Sequence, residues 1–515
     1  MIQILNTMVK HKRPRAAMAA KLPDCTVAAL KRHARLPSER SAAALDALLV
    51  LVAPNESALW ARLPEPQRWR GLHGRAKPAA LKSHATTLGN ARQTQALLGY
   101  VKPKASSFER LSFAGKLVRE LGARRPARIG LLVSGSVAHA ALWCEALLSA
   151  LWSESFSLPD FRSRPADRWR LQSIELYAAP PLDLARIAAS ARAGNLVRTL
   201  TALPPNKLDA GAYRRLLRQL ARRHGLQFRW YSESQLKRLG AGAFLAVSRG
   251  NAARDAGIAH LRWRGARRRS ARAPDVALVG KGILFDTGGV NLKTHRSMLD
   301  MHTDMSGSAV ALASLVALAE LNSGLAADAW LAISENNTGA TAYRPQDVVR
   351  ASNGITIQVI HSDAEGRMVL ADTLSLAART RPKLMIDFAT LTGACVHALT
   401  ERYSGVFTNR PEFADTLLAA GRISGERVWN FPLDDDFDSD LESTVADVLQ
   451  CALDAKGDHI LAARFLQRFV GDVPWVHVDL SSAMRRGGLA HVGSEITGFG
   501  VRWLLELLLS HKLAT

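Results

Sequence analysis

The sequence predicts an α/β protein with a smaller amino-terminal α/β domain and a larger carboxyl-terminal α/β domain, whose central mixed sheet is flanked by helices. A chain of 515 residues is too long for one ordinary hydrophobic core, which indicates two domains. A hydrophobic content of 48% with only 6% aromatic residues is typical of a soluble α/β protein. Short apolar runs alternate with helical patterns along the chain, as they do in folds built from strand-helix units.

The amino-terminal domain is predicted over residues 1–183. Apolar runs at residues 46–52 and 128–133 both predict buried strands. A helix is predicted over 137–151, and the chain up to about Arg40 predicts an arm and a first strand-helix unit. No group of chemically active side chains is concentrated in this part of the sequence. We therefore expect this domain to be non-catalytic.

A linker is predicted at residues 184–205, where an amphipathic helix over 184–200 runs into Leu203-Pro204-Pro205-Asn206. Residues 206–515 form the predicted catalytic domain. Capping and turn residues predict the first elements of that domain. The first of these elements is a helix over 210–224, which is capped by Asp209 and ended by Gly225. It is followed by a strand over 227–231, a helix from Ser232 or Ser234 to 239, and a surface hairpin loop over 265–272.

Two later segments concentrate charged side chains. Residues 276–279 are an apolar run ending in Gly280, which predicts a buried parallel strand that delivers Lys281 to its carboxyl end. Ligands bind at that edge of an open α/β sheet. The charged residues that follow are Asp286, Lys293 and Asp304, and the second segment adds Asp363, Glu365 and Arg367. Four carboxylates would be costly in a core but suit metal ions, so we expect carboxylates that bridge two divalent cations.

Motifs of other enzyme classes are absent from the sequence. It has no H-E-x-x-H motif of zinc proteases, no G-x-S-x-G motif of serine hydrolases and no complete G-x-G-x-x-G motif of dinucleotide sites. Gly280-Lys281-Gly282 lacks the glycine spacing and the K-[ST] pair of a phosphate loop. These absences favour metal-dependent chemistry over the other classes.

Longer sequence blocks surround the charged residues. The first reads Lys281-Gly282-Ile283-Leu284-Phe285-Asp286-Thr287-Gly288-Gly289, followed by Lys293 and Asp304-Met305, and the second reads Asp363-Ala364-Glu365-Gly366-Arg367. Together they resemble the signatures of the leucyl aminopeptidase family, M17. The similarity continues through Asn206 and residues 342–345, 389–394 and 498–502, and so covers nearly all of the carboxyl-terminal two-thirds of the chain.

The resemblance implies two divalent metal ions in each subunit. Asp286 and Glu365 would bridge the ions, Asp363 would complete one site, and Asp304 with Lys281 would complete the other. A lysine ligand must be neutral, so we expect a strongly depressed pKa for Lys281 beside the cations. Oxygen ligands with one amine suit zinc, manganese, magnesium or cobalt, and the sequence does not choose among them.

The resemblance also implies a reaction. The family removes amino-terminal residues from peptides with a free amino terminus, by attack of a metal-bound water. Lys293 would act as the electrophile that stabilises the oxyanion, and Arg367 would hold a bicarbonate ion that relays the proton. Thr390, Leu391 and Gly393 would line the substrate cleft. The family forms cytosolic homohexamers with the amino-terminal domain on the outside, and we expect the same here.

Some positions depart from the family pattern. His361 and Ser362 stand where the family commonly has Asn-Thr, and His302 replaces a frequent lysine. We expect His361 to be a buried, hydrogen-bonded histidine, the alternative being a contact that adjusts the metal ligands. Residues 479–484 differ from the usual strand end that helps to shape the pocket for the first side chain. The preference for leucine therefore stays open.

A net charge of +23 is distributed unevenly along the chain. Basic runs at residues 11–15, 213–224 and 262–272 all precede the first metal-ligand segment. Such asymmetry can indicate nucleic-acid binding through the basic amino-terminal half. The alternative is an arginine-rich protein with solvated helix faces, which we favour because no nucleic-acid-binding motif or interleaved aromatic residues accompany the basic runs.

Several features predict a cytoplasmic protein without a membrane anchor. No apolar run approaches the length of a membrane span, and the first residues do not have the pattern of a secretory signal. A short, basic start could belong to an organellar transit peptide, but it lacks serine enrichment. Cys25, Cys144, Cys395 and Cys451 are widely separated, which indicates free thiols in a reducing compartment.

Overall fold

The computed structural model describes residues 22–56, 58–75, 78–266, 273–454 and 456–514. Within these ranges, a first sheet has six strands: β1 (Ala29–His33), β2 (Ala47–Val52), β3 (Ser83–Thr87), β4 (Gln95–Tyr100), β5 (Arg128–Val133) and β6 (Ser173–Tyr177). Their order is β1-β6-β5-β2-β4-β3, and every pair is parallel except β3 with β4. The strands predicted at 46–52 and 128–133 are β2 and β5, which form the centre of this sheet.

Helices cover both faces of the first sheet. They are α1 (Glu39–Ala42), α2 (Pro66–Arg75), α3 (Ser107–Gly122) and α4 (Val137–Glu154), with a 3₁₀ turn at Leu59–Arg62. One hydrophobic core lies under α3 and α4 and a second lies under α2. The helix predicted over 137–151 is α4. A small α/β domain at the amino terminus is therefore confirmed.

A second sheet forms the centre of the larger unit. In the described part of the chain it has eight strands: β7 (Gln227–Ser232), β8 (Gly257–Trp263), β9 (Val276–Asp286), β10 (Ala327–Asn336), β13 (Leu384–Ala389), β14 (Ser404–Thr408), β15 (Val428–Asn430) and β17 (Trp475–Asp479). Their order is β15-β14-β17-β13-β9-β10-β8-β7. The four central strands are parallel, whereas β14 pairs antiparallel with β17 and β8 pairs antiparallel with β10 and β7. The predicted mixed sheet is confirmed.

Helices sandwich this sheet as well. The helices are α6 (Ala210–Arg223), α7 (Glu233–Arg238), α8 (Gly242–Ser248), α9 (His295–Met298), α10 (Ser306–Glu320), α11 (Glu365–Ala378), α12 (Gly393–Leu399), α13 (Ala414–Ser424), α14 (Asp458–Gln467) and α15 (Val501–Leu509). One core joins α6, α10, α13 and α15 to the sheet, and the other joins α8, α11 and α14 to its opposite face. Short 3₁₀ turns lie at Met301–Thr303, Thr400–Arg402, Pro411–Phe413 and Asp435–Leu441, and β11 (Val348–Arg350), β12 (Thr356–Gln358) and β16 (Val448–Leu449) form a small third sheet.

The predicted linker helix is α5 (Leu184–Thr201), and it contacts both units. Asn195 Nδ2 donates to Trp152 O at 3.1 Å in the first, and Arg186 pairs with Glu506 at 2.6 Å in the second. An amphipathic helix would expose its polar side chains, but residues 195–201 are all buried. Asn195 and Arg198 bond to the end of α4, Thr199 bonds to the backbone of its own helix, and Thr201 bonds to Ser306. The domain boundaries at 183 and 205 stay predictions.

The strand that holds Lys281 is longer than the sequence predicted. We expected it to end near Gly280, but β9 continues to Asp286, so Lys281 lies in the middle of the strand. Glycines permit this because helix α10 packs directly on the strand. A Cβ atom on Gly280 would lie 2.5 Å from Ser308 Cα, and one on Gly282 would lie 2.8 Å from Ala332 O. The carboxyl end of the strand is thus occupied by Asp286.

The elements predicted after the linker are largely confirmed. Asp209 Oδ1 accepts the Ala212 N–H at 2.6 Å and caps α6, and Ser232 begins α7 with a capping box. Most of the hairpin loop predicted over 265–272 lies outside the described residues. None of the helices in the described ranges is both long and apolar enough to cross a lipid bilayer.

The basic helix α6 buries an apolar face and presents arginines on the other. Arg214 lies over the Trp230 ring at 5.3 Å, and Arg218 lies over the Phe228 ring at 5.9 Å. These guanidinium groups therefore cover aromatic rings at the edge of the sheet. The solvated arginine-rich faces that we favour, and nucleic-acid binding as the alternative, both stay untested.

The start of α15 is held by a carboxylate that lies elsewhere in the chain. Glu426 Oε2 accepts the N–H groups of Gly500 at 3.0 Å and of Trp503 at 2.8 Å, two donors that have no partner within the helix. Burial raises the pKa of Glu426 to about 7, although the backbone N–H groups and Arg502 act in the opposite direction. The protonated form of this side chain is therefore favoured in the folded state.

We expect Glu426 to make the stability of the protein depend on pH. Because its pKa is raised on folding, its contribution is fully present below the ordinary glutamate pKa and is lost as the pH rises through about 7. The difference corresponds to roughly 3 kcal/mol between pH 4.5 and 8. Glu426→Gln, which stays neutral, should remove this part of the pH dependence in urea unfolding followed by circular dichroism.

The exposed Glu412→Gln provides the matched control for charge removal. It should unfold with the wild-type pH dependence. Identical pH profiles for the wild type and Glu426→Gln would show that Glu426 does not bind a proton on folding.

Candidate metal centre

The charged residues of the two segments meet at the carboxyl edge of the central parallel strands. Asp286 ends β9, Asn336 ends the neighbouring β10, and Thr390 follows β13 on the other side. Asp363 and Glu365 come from the start of α11, where the amino terminus of a helix favours negative charge. This is the edge at which open α/β sheets bind ligands.

Lys281 lies at the bottom of the cluster with only 3% of its surface exposed. Its Nζ donates to Asp304 Oδ1 at 2.8 Å and to Thr390 O at 3.0 Å, and it lies 3.0 Å from Glu365 Oε1. Burial by itself lowers the pKa of Lys281, but the charges of Asp304, Glu365 and Asp286 outweigh it and raise the pKa. The depressed pKa that we expected beside metal ions is therefore not a property of the chain alone, in which carboxylates surround the amine.

The carboxylates in the cluster outnumber the lysines. Burial raises the pKa of Glu365, and repulsion from Asp286 adds to the effect even though Lys281 opposes it. Burial likewise raises the pKa of Asp304 and of Asp363, again with repulsion from Asp286. Burial is the largest cause for the acids and repulsion among the carboxylates adds to it, whereas for the lysine the charges of the same carboxylates raise the pKa against the effect of burial. Additional positive charge would stabilise the site.

Lys293 spans two carboxylates at the mouth of the cluster. Its Nζ lies 2.9 Å from Asp286 Oδ2 and 2.6 Å from Asp363 Oδ1. Burial lowers the pKa of Lys293, but Asp286, Glu365 and Asp363 outweigh this and raise it. The amine is therefore a protonated hydrogen-bond donor, as an electrophilic role requires.

The carboxylates fit a metal ion by their chemistry and spacing. Oxygen atoms of Asp286, Asp363 and Glu365 all lie within 4.8 Å of one another. Asp304 and Lys281 adjoin this group through Glu365. All five residues predicted as metal ligands are therefore close together, with hard oxygen donors that suit divalent cations.

Arg367 is near the cluster but is engaged by other groups. Its Nη2 donates to Asp458 Oδ1 at 2.7 Å and its Nη1 to Gln450 O at 3.3 Å. The guanidinium is buried, and its Nε has no hydrogen-bond partner among the described residues. Neither Asp458 nor Gln450 was predicted as a site residue from the sequence.

The predicted substrate-binding residues surround the turn after β13. Thr390 Oγ1 donates to Asp304 Oδ1 at 2.7 Å, and the Leu391 N–H donates to Asp479 Oδ1 at 3.2 Å. Gly393 begins α12 and is exposed, and no heavy atom lies within 4 Å of the position that its Cβ would occupy. Thr390 therefore belongs to the charged cluster itself, whereas Gly393 faces open space.

The departures from the family pattern have different structural roles. His361 is exposed, so the expectation of a buried histidine is wrong. Its Nδ1 accepts the Asp363 N–H at 3.3 Å just before α11, and the rest of the imidazole ring faces solvent. Ser362 is fully buried, and its Oγ donates to Gly288 O at 2.6 Å and accepts the Asn291 N–H at 2.8 Å. His302 is half-buried, and burial lowers its pKa.

Residues 479–484 begin with a carboxylate, Asp479, that holds the turn after β13. Besides the Leu391 N–H, Asp479 accepts the Thr392 hydroxyl at its Oδ2, at 2.6 Å. Ser481 Oγ donates to Tyr403 O at 2.6 Å. This region therefore supports the turn after β13, which the sequence alone did not reveal.

A large cavity in the described part of the chain lies away from the charged cluster. It has a volume of about 1020 Å³ and lies between the amino-terminal unit and α13, β15 and α15. Phe108, Leu142, Trp429 and Arg502 are among the residues that line it. None of the predicted site residues lines this cavity, so the buried charges are the better guide to the chemistry.

The α/β unit, with helices on both faces of its sheet and with acids and lysines at the sheet edge, defines a metal-dependent enzyme. The model of the cytosol aminopeptidase family, catalytic domain, matches residues 195–505. The chain therefore belongs to this family, M17, and is a metalloaminopeptidase.

Individual relatives agree with this assignment. A protein of Syntrophotalea carbinolica named "Probable cytosol aminopeptidase" is 37% identical over 410 residues, 77% of this chain and 81% of the relative. A protein of the same name from Methylorubrum extorquens is 40% identical over 322 residues, 61% of this chain and 63% of the relative. Among solved structures, "Bottromycin maturation enzyme BotP in complex with Mn" has a TM-score of 0.77 and 31% identity, covering 91% of this chain and 100% of that one.

We expect Gly366→Ala to disturb the cluster through Lys281. A Cβ atom at position 366 would lie 2.5 Å from Lys281 Cε and 2.7 Å from its Nζ, so the amine would have to leave Asp304 or Glu365. Alanine is otherwise favoured over glycine in a helix, by about 1 kcal/mol. The variant should lose Mn²⁺ affinity in calorimetric titration, although its helix content in circular dichroism stays the same.

Gly194→Ala in α5 is the matched helical control, because no heavy atom lies within 4 Å of the Cβ position there. It should bind Mn²⁺ as the wild type does. Unchanged Mn²⁺ affinity in Gly366→Ala would mean that Lys281 is not held where the structure places it.

Proposed function

We propose that this enzyme removes the first residue from peptides with a free amino terminus, at a centre of two divalent metal ions held by Lys281, Asp286, Asp304, Asp363 and Glu365. The observation that supports this most directly is the meeting of these five side chains in one buried cluster. They come from two segments that are far apart in sequence. Membership of the cytosol aminopeptidase family supports the substrate class.

The contacts among the five residues suggest how they divide between the ions. Asp286 and Glu365 lie centrally, since each is close both to Asp363 and to Lys281 or Lys293. We assign them as the bridging carboxylates, with Asp363 completing one site and Asp304 plus Lys281 the other. When bound, the two ions would polarise the scissile carbonyl and activate water. Manganese is one candidate, because the solved relative was described with Mn.

Lys293 is placed to act on the developing oxyanion. Its protonated amine lies at the mouth of the cluster, where Asp286 and Asp363 hold it. A fixed ammonium group donates hydrogen bonds to the negative charge that forms on the carbonyl oxygen, and it needs no reorganisation to do so. We therefore assign Lys293 as the electrophile.

Arg367 would hold a bicarbonate ion. One donor of its buried guanidinium, Nε, has no hydrogen-bond partner among the described residues, which suits an anion. Asp458 and Gln450 fix the other end of the group. Bicarbonate, when bound, would supply the base that relays the proton.

Thr390, Leu391 and Gly393 would line the path of the substrate. Thr390 bonds to Asp304 on the side of the cluster that would receive the free amine, and Gly393 leaves open space beyond it. A peptide that must place its amino group there can lose only one residue at a time. As in the family that the sequence resembles, we propose a homohexamer, which sedimentation would test.

The function is tested by hydrolysis of aminoacyl-p-nitroanilides by metal-stripped protein, with zinc, manganese or magnesium added back and bicarbonate varied. We expect metal-dependent release from substrates with a free amine and none from their acetylated counterparts, because acetylation removes the group that would bind near Asp304. The order of rates among side chains would rank the preference for the first residue. Equal hydrolysis of acetylated substrates, or none with any metal, would contradict the proposal.

Lys293→Ala should lower kcat by roughly 10²- to 10³-fold, the loss typical of one oxyanion donor. The affinity for Mn²⁺ should change far less, since the amine is not assigned as a ligand. Steady-state kinetics at saturating Mn²⁺ and calorimetric titration measure the two quantities. Arg296→Ala, which removes a nearby exposed cation, should match the wild type in both. A parallel loss of Mn²⁺ binding would instead give Lys293 a structural role.

A further inference from the structure

Asn336 contacts two of the predicted metal ligands, although no sequence motif pointed to this residue. It is the last residue of β10, and only 1% of its surface is exposed. Its Nδ2 donates to Asp286 Oδ1 at 2.8 Å, to Ser362 O at 3.0 Å and to Glu365 Oε2 at 3.3 Å. One amide group thus joins both carboxylates assigned as bridging, together with the backbone that leads into Asp363.

The orientation of this amide follows from its neighbours. All three groups around Nδ2 are acceptors, so the nitrogen and not the oxygen must face them. Asn336 Oδ1 has no hydrogen-bond partner among the described residues, and a Cβ atom on Gly289 would lie 3.2 Å from it. Asn336 is therefore a hydrogen-bond donor to the ligands and is not itself placed as a ligand.

The backbone of β10 is shaped to bring Asn336 to this position. The register between β9 and β10 shifts between Ser334 and Asn336, so that Asn336 pairs with Asp286. Such irregularities redirect side chains next to functional sites. Asn336 O also accepts the Thr287 N–H at 2.9 Å and its hydroxyl at 2.8 Å, which ties the loop after Asp286 to the same residue.

A carboxylate that is surrounded by other carboxylates can rotate its side chain, and rotation away from its neighbours would relieve the electrostatic repulsion. Donors that hold the ligand oxygens remove this freedom before a cation arrives, and groups that bond to metal ligands typically strengthen binding by 10- to 100-fold. We propose that Asn336 is a positioning residue, which fixes the orientations of Asp286 and Glu365 for two-metal binding. This inference depends on the function proposed above.

The test compares Asn336→Ala, which removes both the donor and the volume, with Asn336→Leu, which keeps the branched shape of the side chain without a donor. The control is Asn337→Ala, because the adjacent amide donates to Glu335 Oε2 at 2.6 Å and not to the cluster. Titration calorimetry of metal-stripped proteins with Mn²⁺ gives the affinity, and steady-state kinetics at saturating Mn²⁺ give kcat and KM.

We expect both Asn336 variants to bind Mn²⁺ about 10- to 100-fold more weakly than the wild type. Their kcat should fall even at saturating Mn²⁺, and KM should change less, because the misplaced ligands affect the chemistry more than substrate binding. Asn337→Ala should behave as the wild type does. A merely structural role would change the unfolding temperature without this separation of kcat from KM.

Each other outcome contradicts a specific claim. Wild-type Mn²⁺ affinity in Asn336→Leu, with loss only in Asn336→Ala, would show that volume matters and the donor does not. Failure of both variants to fold would make Asn336 a core residue rather than a positioning residue. Wild-type affinity and kcat in both variants would overturn this inference alone, whereas a wild type that neither binds Mn²⁺ nor cleaves peptides would overturn the proposed function.

Discussion

The structure depends on compensation of negative charge that is buried at one sheet edge. Four carboxylates meet there with the amines of Lys281 and Lys293, and Asp286, Asp304 and Glu365 are nearly inaccessible to water. Uncompensated charges in such surroundings cost several kcal/mol each. Burial raises the pKa values of Glu365 and Asp304, and repulsion from Asp286 adds to this effect. Divalent cations would neutralise the excess of negative charge.

Close packing of a helix on the sheet makes this arrangement possible. Asp304 precedes α10, which approaches β9 and β13 so closely that side chains would not fit between them. A Cβ atom on Gly307 would lie 2.0 Å from Phe388 O, and one on Gly280 would lie 2.5 Å from Ser308 Cα. Because the backbones approach this closely, the loop before α10 places Asp304 against Lys281 in the middle of its strand. Gly280 and Gly307 are therefore as necessary for the geometry of the charged cluster as the predicted ligands are.

Polar side chains outside the set of predicted metal ligands hold the loops around the charged cluster. Ser362 ties the loop at Gly288 to the start of α11, and Asp479 holds the turn that follows Thr390. Asn336 connects the two sides through its amide. Polar residues of α5 likewise connect the two units, since Asn195 and Arg198 bond to the end of α4. In both places the polar side chains bond to backbone groups or to other polar side chains.

The sequence by itself determined the fold class, the strands at 46–52 and 128–133 and the list of ligand candidates. It could do so because apolar runs, capping residues and two long motifs are local patterns. It misjudged features that depend on neighbours: the end of β9, the buried polar side of α5 and the exposure of His361. Whether a strand continues past a glycine, or a polar face meets water, depends on what packs against it.

Only the tertiary structure decided which groups surround the ligands. Asn336, Asp458 and Asp479 come from elements far from the two motifs, and no periodicity or spacing connects them to Glu365 or Arg367. A polar residue at the end of an apolar strand, such as Asn336, was the one local signal available. Its partners are evident only in the folded structure, where the parallel strands have their carboxyl ends at one edge. Contacts between distant segments are set by packing and not by sequence order.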